Sequence, residues 1–495
     1  MRIVEIQDCE IRPGRLVEWT LHSATVEAAL HRPDDPRPPA YVQERHLRTA
    51  RSACRNDSAP PSWIGTAFDI PGAVDLGALQ NSLHAWTIRH ETLRSGFRWV
   101  GEEVRRFTLD ADAVALHRED NGVFTDVDKL AAYMLKRFDT VANALTWPNF
   151  MFSAVIRDES TSVYMAFDHL NVDYYSLQRI PAEIHELYAT HREGRAMDVA
   201  EVASYVGFCA TERAEADEID ATHALAARWR DFIAECEGEL PNFPVDLGVT
   251  PDDPAPAQSF MYEMLVDGGD AAAFADYCRP YGGPLVGILA AVSLVAYQIG
   301  GQPVYRTVVP FYTRTKSQWS NSVGWYVGCA PVTIPVARAV DFDSALLMAR
   351  ASLRENRAMA RTPLARVLHV LDADFRPTSA DLHAIVSYND GRDAPESERW
   401  HDLKAYALAR FTRGDKACMW FSRLHEGLFL TSRFPDTGIA HKNMQLCFEG
   451  LRELIVSVPR HAPAKHNPRA CKLAGISGIF GDSAAEGGDV HRRRS

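Results

Sequence analysis

A two-lobed α/β (α+β) fold is predicted by three observations. At 495 residues and 55.1 kDa the chain exceeds one ordinary hydrophobic core. Strand-like and helix-like patterns alternate in both halves. Between the halves lies PNFPVDLGVTPDDPAPAQ, ending at Gln258, with five prolines and several acids. The expected organisation is an N-terminal lobe 1–239, a Pro-rich linker 240–258, a C-terminal lobe 259–462 and a tail 463–495. The tail's Gly, Ser, Ala and basic composition predicts disorder.

Taken in order, the first thirty residues read as an arm or opening strand set off by the polar, Pro-rich HRPDDPRPPA. WIGTAFDI, Trp63 to Ile70, is strand-like. Asp75 then caps a helix whose Leu76, Leu79, Leu83 and Trp86 recur at spacings of three and four. Val163, Met165 and Phe167 alternate as on one face of a half-buried strand. Ser176 caps the next amphipathic segment, Leu177, Ile180, Ile184 and Leu187, which Pro181 is expected to kink or restart. Charged helical sequence continues to about Glu239. In the second half, a helix from Asp270 to Tyr281 precedes the apolar segment Pro284 to Ile299. The strand-like PVYRTVVPF and VGCAPVTIPV follow, then a helix from Ser344 to about Met359 and the strands HAIVSYN and GLFLTSRF.

Composition narrows the function classes. A net charge of −12 and a pI near 5.8, without a stripe of Lys and Arg, exclude a nucleic-acid surface. Pro284 to Ile299 is too short to span a bilayer, and the N-terminus has acids where a signal peptide needs an apolar centre, so a cytoplasmic location is expected. Nine cysteines without a CxxC pair suggest reduced thiols and no zinc site. His185 and Glu186 do not continue as HExxH, and neither a G-x-S-x-G elbow, a GxGxxG loop nor a P-loop occurs; metal and bound cofactor are expected to be absent.

The most informative stretch is SVYMAFDHLNVDYYSL, Ser162 to Leu177, which sets His169 at the end of an apolar strand and Asp173 four residues on. A histidine at a strand end can face a cleft and move protons near neutral pH, making His169 a general-base candidate.

RHETLRSGF at Arg89, DHLNVDYYS at Asp168 and VGWYVGCAPVTIPV at Val323 resemble three signature regions of the condensation-domain superfamily of acyltransferases, which includes nonribosomal peptide condensation domains and chloramphenicol acetyltransferase. PAYVQERHL at Pro39, SYNDGR at Ser387 and GDKACMWFSRLHEGLFLTSRFPDT at Gly414 are most similar to its stand-alone branch, which includes polyketide-associated acyltransferases. The resemblance implies two chloramphenicol-acetyltransferase-like lobes in a V, with the active site in a tunnel between them. It also implies an acyl thioester on coenzyme A or on the phosphopantetheine of an acyl or peptidyl carrier protein as co-substrate, a small-molecule alcohol or amine as acceptor, and a place in specialised metabolism such as nonribosomal peptide, polyketide or antibiotic biosynthesis.

By the same resemblance His169 is the catalytic histidine of the HHxxxDG pattern, and Asp173 is a structural aspartate paired with an arginine, for which Arg94 is the expected partner. The tunnel is expected to involve Asp168, Tyr174, Ser176, Gly328 and Arg314, with a surface or interlobe salt bridge as the simpler role for Arg314. Three departures stand out. Asp168 replaces the first His of the pattern, Tyr174 replaces its Gly and should narrow the tunnel or add a hydroxyl, and Gly328 stands where many members carry Asn. Such departures keep a second function open, a catalytically inactive module that recruits a carrier protein or a tailoring enzyme. A third is recruitment of the fold to cyclisation or dehydration of a tethered substrate.

Overall fold

The computed structural model of the chain describes residues 1–55, 61–196, 201–250, 255–371, 384–410 and 413–460. The expected tail 463–495 lies outside them. Among the described residues the N-terminal lobe is organised on a seven-stranded sheet. Its order is Arg2–Val4, Tyr406–Ala409, Trp63–Pro71, Ser160–Asp168, Phe150–Ile156, Gly14–Leu21 and Leu116–Phe124.

The Ser160–Asp168 strand sits near the middle and is buried on both faces, not one. Val163, Met165 and Phe167 pack under the helices Leu76–Arg89 and Tyr174–Arg192, in one core with Leu79, Leu83, Ile180 and Ile184. Tyr164 and Ala166 point the other way, into a second core with Leu130, Met134 and Phe138 of the helix Val127–Val141. The period-2 pattern was therefore real, and the intervening residues are simply apolar enough for a second layer.

Asp75 caps the Leu76–Arg89 helix as expected, accepting from the N–H groups of Gly77 and Ala78. The next helix differs from expectation. It begins at Tyr174 with Asp173 as its cap, so Ser176 is its third residue, and it runs unbroken through Pro181 to Arg192. A carboxylate is a strong cap and accepts the Ser176 N–H, while Ile180, Ile184 and Leu187 stay buried on either side of the proline and hold the helix against the sheet.

The C-terminal lobe has a four-stranded sheet in the order Gln258–Asp267, Gly427–Pro435, Cys418–Arg423 and Val386–Asp390. The paired strands Tyr305–Tyr312 and Val327–Ile334 join it through a parallel bridge between Val308 and Ile385. The helix Pro284–Gly300 is this lobe's centre, with every residue from Val286 to Ala296 buried. No single helix among the described residues is long and apolar enough to cross a membrane; the one bent pair with sufficient length, Gly268–Tyr281 with Pro284–Gly300, contributes to this core.

Two sequence-derived boundaries change. The expected linker 240–258 is not free along its length: Phe243, Val245 and Leu247 are buried in the C-terminal core, and Gln258 opens a strand that the sequence did not reveal. Apolar residues between the prolines give this segment a surface to bury. The C-terminal lobe 259–462 also lends Tyr406–Ala409 to the first lobe's sheet, where it pairs parallel with Arg2–Val4 and antiparallel with Trp63–Pro71.

Candidate active site

His169 follows directly on the Ser160–Asp168 strand and lines a cavity of about 380 Å³ between the lobes. Most of the wall is apolar, including Leu285, Phe311, Val327, Leu364, Leu368 and Phe421. Trp325 packs on the imidazole, with ring centroids 4.0 Å apart and planes at 32°. The His169 Nδ1 is sealed from solvent, and the residue lines the cavity. Burial holds the imidazole below the ordinary histidine value, His46 adds to the lowering, and its own backbone carbonyl, Asp168 and Asp173 offset only part of it. The neutral form of His169 is thus favoured at pH 7.

The turn that presents His169 is pinned from several directions. Asp168 Oδ1 accepts the Leu170 N–H at 2.9 Å, and Gln43 Nε2 donates to the Leu170 carbonyl at 2.9 Å. Asn171 donates to Asn149 at 2.7 Å and accepts from the Thr92 hydroxyl at 3.1 Å. His46 Nε2 donates to Asp168 at 3.1 Å. Desolvation pulls the His46 pKa down, but the charge and hydrogen bond of Asp168 outweigh it and the net direction is up. His46 thus favours its protonated form beside Asp168, which stands where the family pattern has its first histidine.

Asp173 braces the lobes, and its partner is Arg314, not Arg94. Arg314 Nη1 donates to Asp173 Oδ2 at 2.6 Å and Nη2 to Oδ1 at 3.1 Å, with both side chains nearly excluded from solvent. The Ser176 N–H and hydroxyl, each at 2.8 Å, and the Tyr326 N–H at 3.0 Å also donate to this carboxylate. Arg314 lies over the rings of Tyr175 and Tyr326. Arg94 is engaged elsewhere, donating to the carbonyls of Ile88 and Leu109 at the end of the Leu76–Arg89 helix. Its position in RHETLR binds it to its own lobe's backbone, whereas Arg314 projects across the junction.

The five expected tunnel residues separate accordingly. Tyr174 and Gly328 line the cavity. Asp168 is buried behind it, while Ser176 and Arg314 belong to the interlobe network, with the Ser176 hydroxyl also donating to the Gly324 carbonyl at 3.2 Å. The Tyr174 hydroxyl donates to the Met1 carbonyl, so it is spent on the opening strand and its ring forms the wall; burial raises its pKa to about 12. At Gly328, a Cβ would stand 1.7 Å from the Ala360 carbonyl oxygen, so backbone occupies the space that an asparagine side chain would need. His46, Gln43, Asn149 and Trp325 had no role assigned from sequence. Trp325 and His46 lie within quoted motif segments, which was the only signal available.

Two α/β lobes enclose an apolar cavity with a buried histidine presented at their junction, and the similar proteins found by comparison are acyltransferases. The Condensation domain family matches residues 54–409, and the chain belongs to that family. It is similar to 2'-acyl-2-O-sulfo-trehalose (hydroxy)phthioceranyltransferase PapA1 of Mycobacterium tuberculosis, 26% identical over 469 residues that cover 93% of this chain and 89% of the relative. Trehalose-2-sulfate acyltransferase PapA2 of Mycobacterium bovis is 24% identical, covering 92% of this chain and 96% of the relative. Among solved structures, PapA2 acyl transferase superposes with a TM-score of 0.85 at 24% identity, covering 93% of this chain and all of that one. The X-domain from teicoplanin biosynthesis gives 0.64 at 15% identity, covering 87% and 96%.

Proposed function

We propose that this protein transfers an apolar acyl group from a coenzyme A or carrier-protein thioester to a hydroxyl of a small, carbohydrate-like acceptor, in the cytoplasm where such thioesters are made. The observation that carries the reading is His169, kept neutral by burial, with Nδ1 closed off and the ring set against an apolar cavity. The neutral imidazole removes the acceptor's proton as its oxygen attacks the thioester carbonyl. The C–O bond forms, a tetrahedral oxyanion collapses, the C–S bond breaks, and the imidazolium returns the proton to the departing thiolate. No bound cofactor enters this scheme, because the thioester already carries the activation. The apolar wall favours a hydrocarbon chain over a charged aminoacyl group. A hydroxyl acceptor is favoured over an amine because both mycobacterial relatives are named for acyl transfer to trehalose derivatives.

Asp173 and Arg314 act through position: Asp173 accepts the Tyr326 N–H next to Trp325, the ring that packs on His169. The test is incubation with acyl-CoA and acyl-carrier donors and sugar acceptors, read by mass spectrometry. His169→Ala should lose turnover by roughly 100-fold or more, as expected on removing a general base, with an unchanged melting temperature. Undiminished product from that variant would remove the reading.

A further inference from the structure

A second cavity, about 950 Å³, opens beside the first and shares Phe311 and Tyr312 with it. The His169 cavity has Arg45 and Asp173 among its lining residues, and the second cavity carries more cations at its edge. Lys316, Arg357 and Arg361 line it, and among the described residues none of their side chains makes a hydrogen bond or ion pair. All three are exposed residues, and they line one cavity in a chain whose overall balance, 65 acidic against 53 basic residues, is negative. Aromatic faces set two of the heads: Lys316 Nζ lies 5.2 Å from the Trp319 ring and the Arg357 guanidinium 5.5 Å from that of Phe311.

The cavity's acids stand on a different element. Glu212 and Glu215 belong to the helix Tyr205–Asp217, whereas the cations come from the loop after the Tyr305–Tyr312 strand and from the turn Arg357–Arg361. Burial, with Glu215 adding to it, raises the Glu212 carboxyl to about 8, so much of its negative charge is absent at neutral pH. The cavity is left with a net positive edge. Backbone contact joins its wall to the reaction cavity, since Ala360 lines this one and closes on Gly328 of the other.

From this arrangement we propose that the second cavity is a binding site for a sulfate or phosphate monoester carried by one of the two substrates, held by Lys316, Arg357 and Arg361. The inference rests on the acyl-transfer reading above for what the ligand is, but not for whether an anion binds. An ester anchored there has Phe311 and Tyr312 as its path toward His169. Two sources fit one chemistry, a sulfated acceptor or the phosphates of the thioester donor.

Calorimetric titration of the full chain separates them without turnover. The probes are coenzyme A against pantetheine, and trehalose-2-sulfate against trehalose, at low and moderate salt. The expected result is that one anionic probe binds about tenfold or more tighter than its neutral counterpart, as for charge-assisted hydrogen bonds, and that salt reduces the difference. The combined variant Lys316→Ser, Arg357→Gln, Arg361→Gln should abolish the discrimination, and Arg361→Gln alone should reduce it. Preference for coenzyme A assigns the donor, and preference for the sulfated sugar the acceptor. Equal binding of charged and neutral probes by the wild type, or discrimination undiminished in the combined variant, overturns the proposal. His169→Ala should keep the discrimination, so an absence of acyl transfer and an absence of anion binding are distinct failures.

Discussion

Removing Arg314 tests the junction most directly. The Asp173 carboxylate accepts from two Arg314 nitrogens, the Ser176 N–H and hydroxyl, and the Tyr326 N–H. In Arg314→Met three of those donors remain, but a buried charge loses its counter-ion, which costs about 3–5 kcal/mol. Asp173→Asn leaves the guanidinium similarly uncompensated. In the double variant neither charge is stranded, so its cost should fall below the sum of the singles by about 1–3 kcal/mol. Urea midpoints followed by tryptophan fluorescence give the four corners of the cycle. Turnover in Arg314→Met should fall because the Tyr326 and Trp325 backbone loses a fixed acceptor and the packing on His169 loosens. Arg94→Met combined with Asp173→Asn is the control and should be additive. A cost below about 0.5 kcal/mol for Arg314→Met, typical of a surface substitution, would refute the reasoning, and so would additivity in the cycle.

Three further outcomes are expected. His46 lowers the His169 pKa and activity needs the neutral imidazole, so His46→Gln should move the acidic limb of the kcat/KM profile to higher pH; Asp168→Asn, which removes an opposing charge, should move it lower. Gly328→Asn should destabilise the protein by about 1–3 kcal/mol in thermal melts, because its Cβ would meet the Ala360 carbonyl. Tyr174→Phe should cost about 0.5–1.5 kcal/mol through the lost hydrogen bond to Met1 while leaving the cavity wall in place, so acyl-chain preference in a competition assay should not change.

Local signals in the sequence were dependable where local physics decides the outcome. Asp75 is a helix cap because its side chain reaches N–H groups two and three residues on, and His169 stands at a strand end because the apolar alternation stops there. The functional pairings depend instead on residues far apart in the chain. Arg314 meets Asp173 across 141 residues, and His46 meets Asp168 across 122. No periodicity encodes either partner, and a nearby arginine such as Arg94 satisfies a sequence pattern equally well. The helix Tyr41–Arg55, which carries His46, was also not apparent, since it is strongly charged and buries only Tyr41, Gln43 and Leu47. Its place is set by what it covers.

The strand Tyr406–Ala409 makes the two halves inseparable as expression units. A fragment that stops at residue 239 would keep Trp63–Pro71 with its hydrogen-bonding edge bare and would leave Arg2–Val4 with nothing to pair against. Such an edge recruits strands from other molecules, so the fragment should precipitate unless residues 406–409 are supplied in trans. Division of the gene at the Pro-rich segment would therefore yield two chains that must co-fold, and domain-swap engineering in this protein has to exchange that strand together with the first lobe.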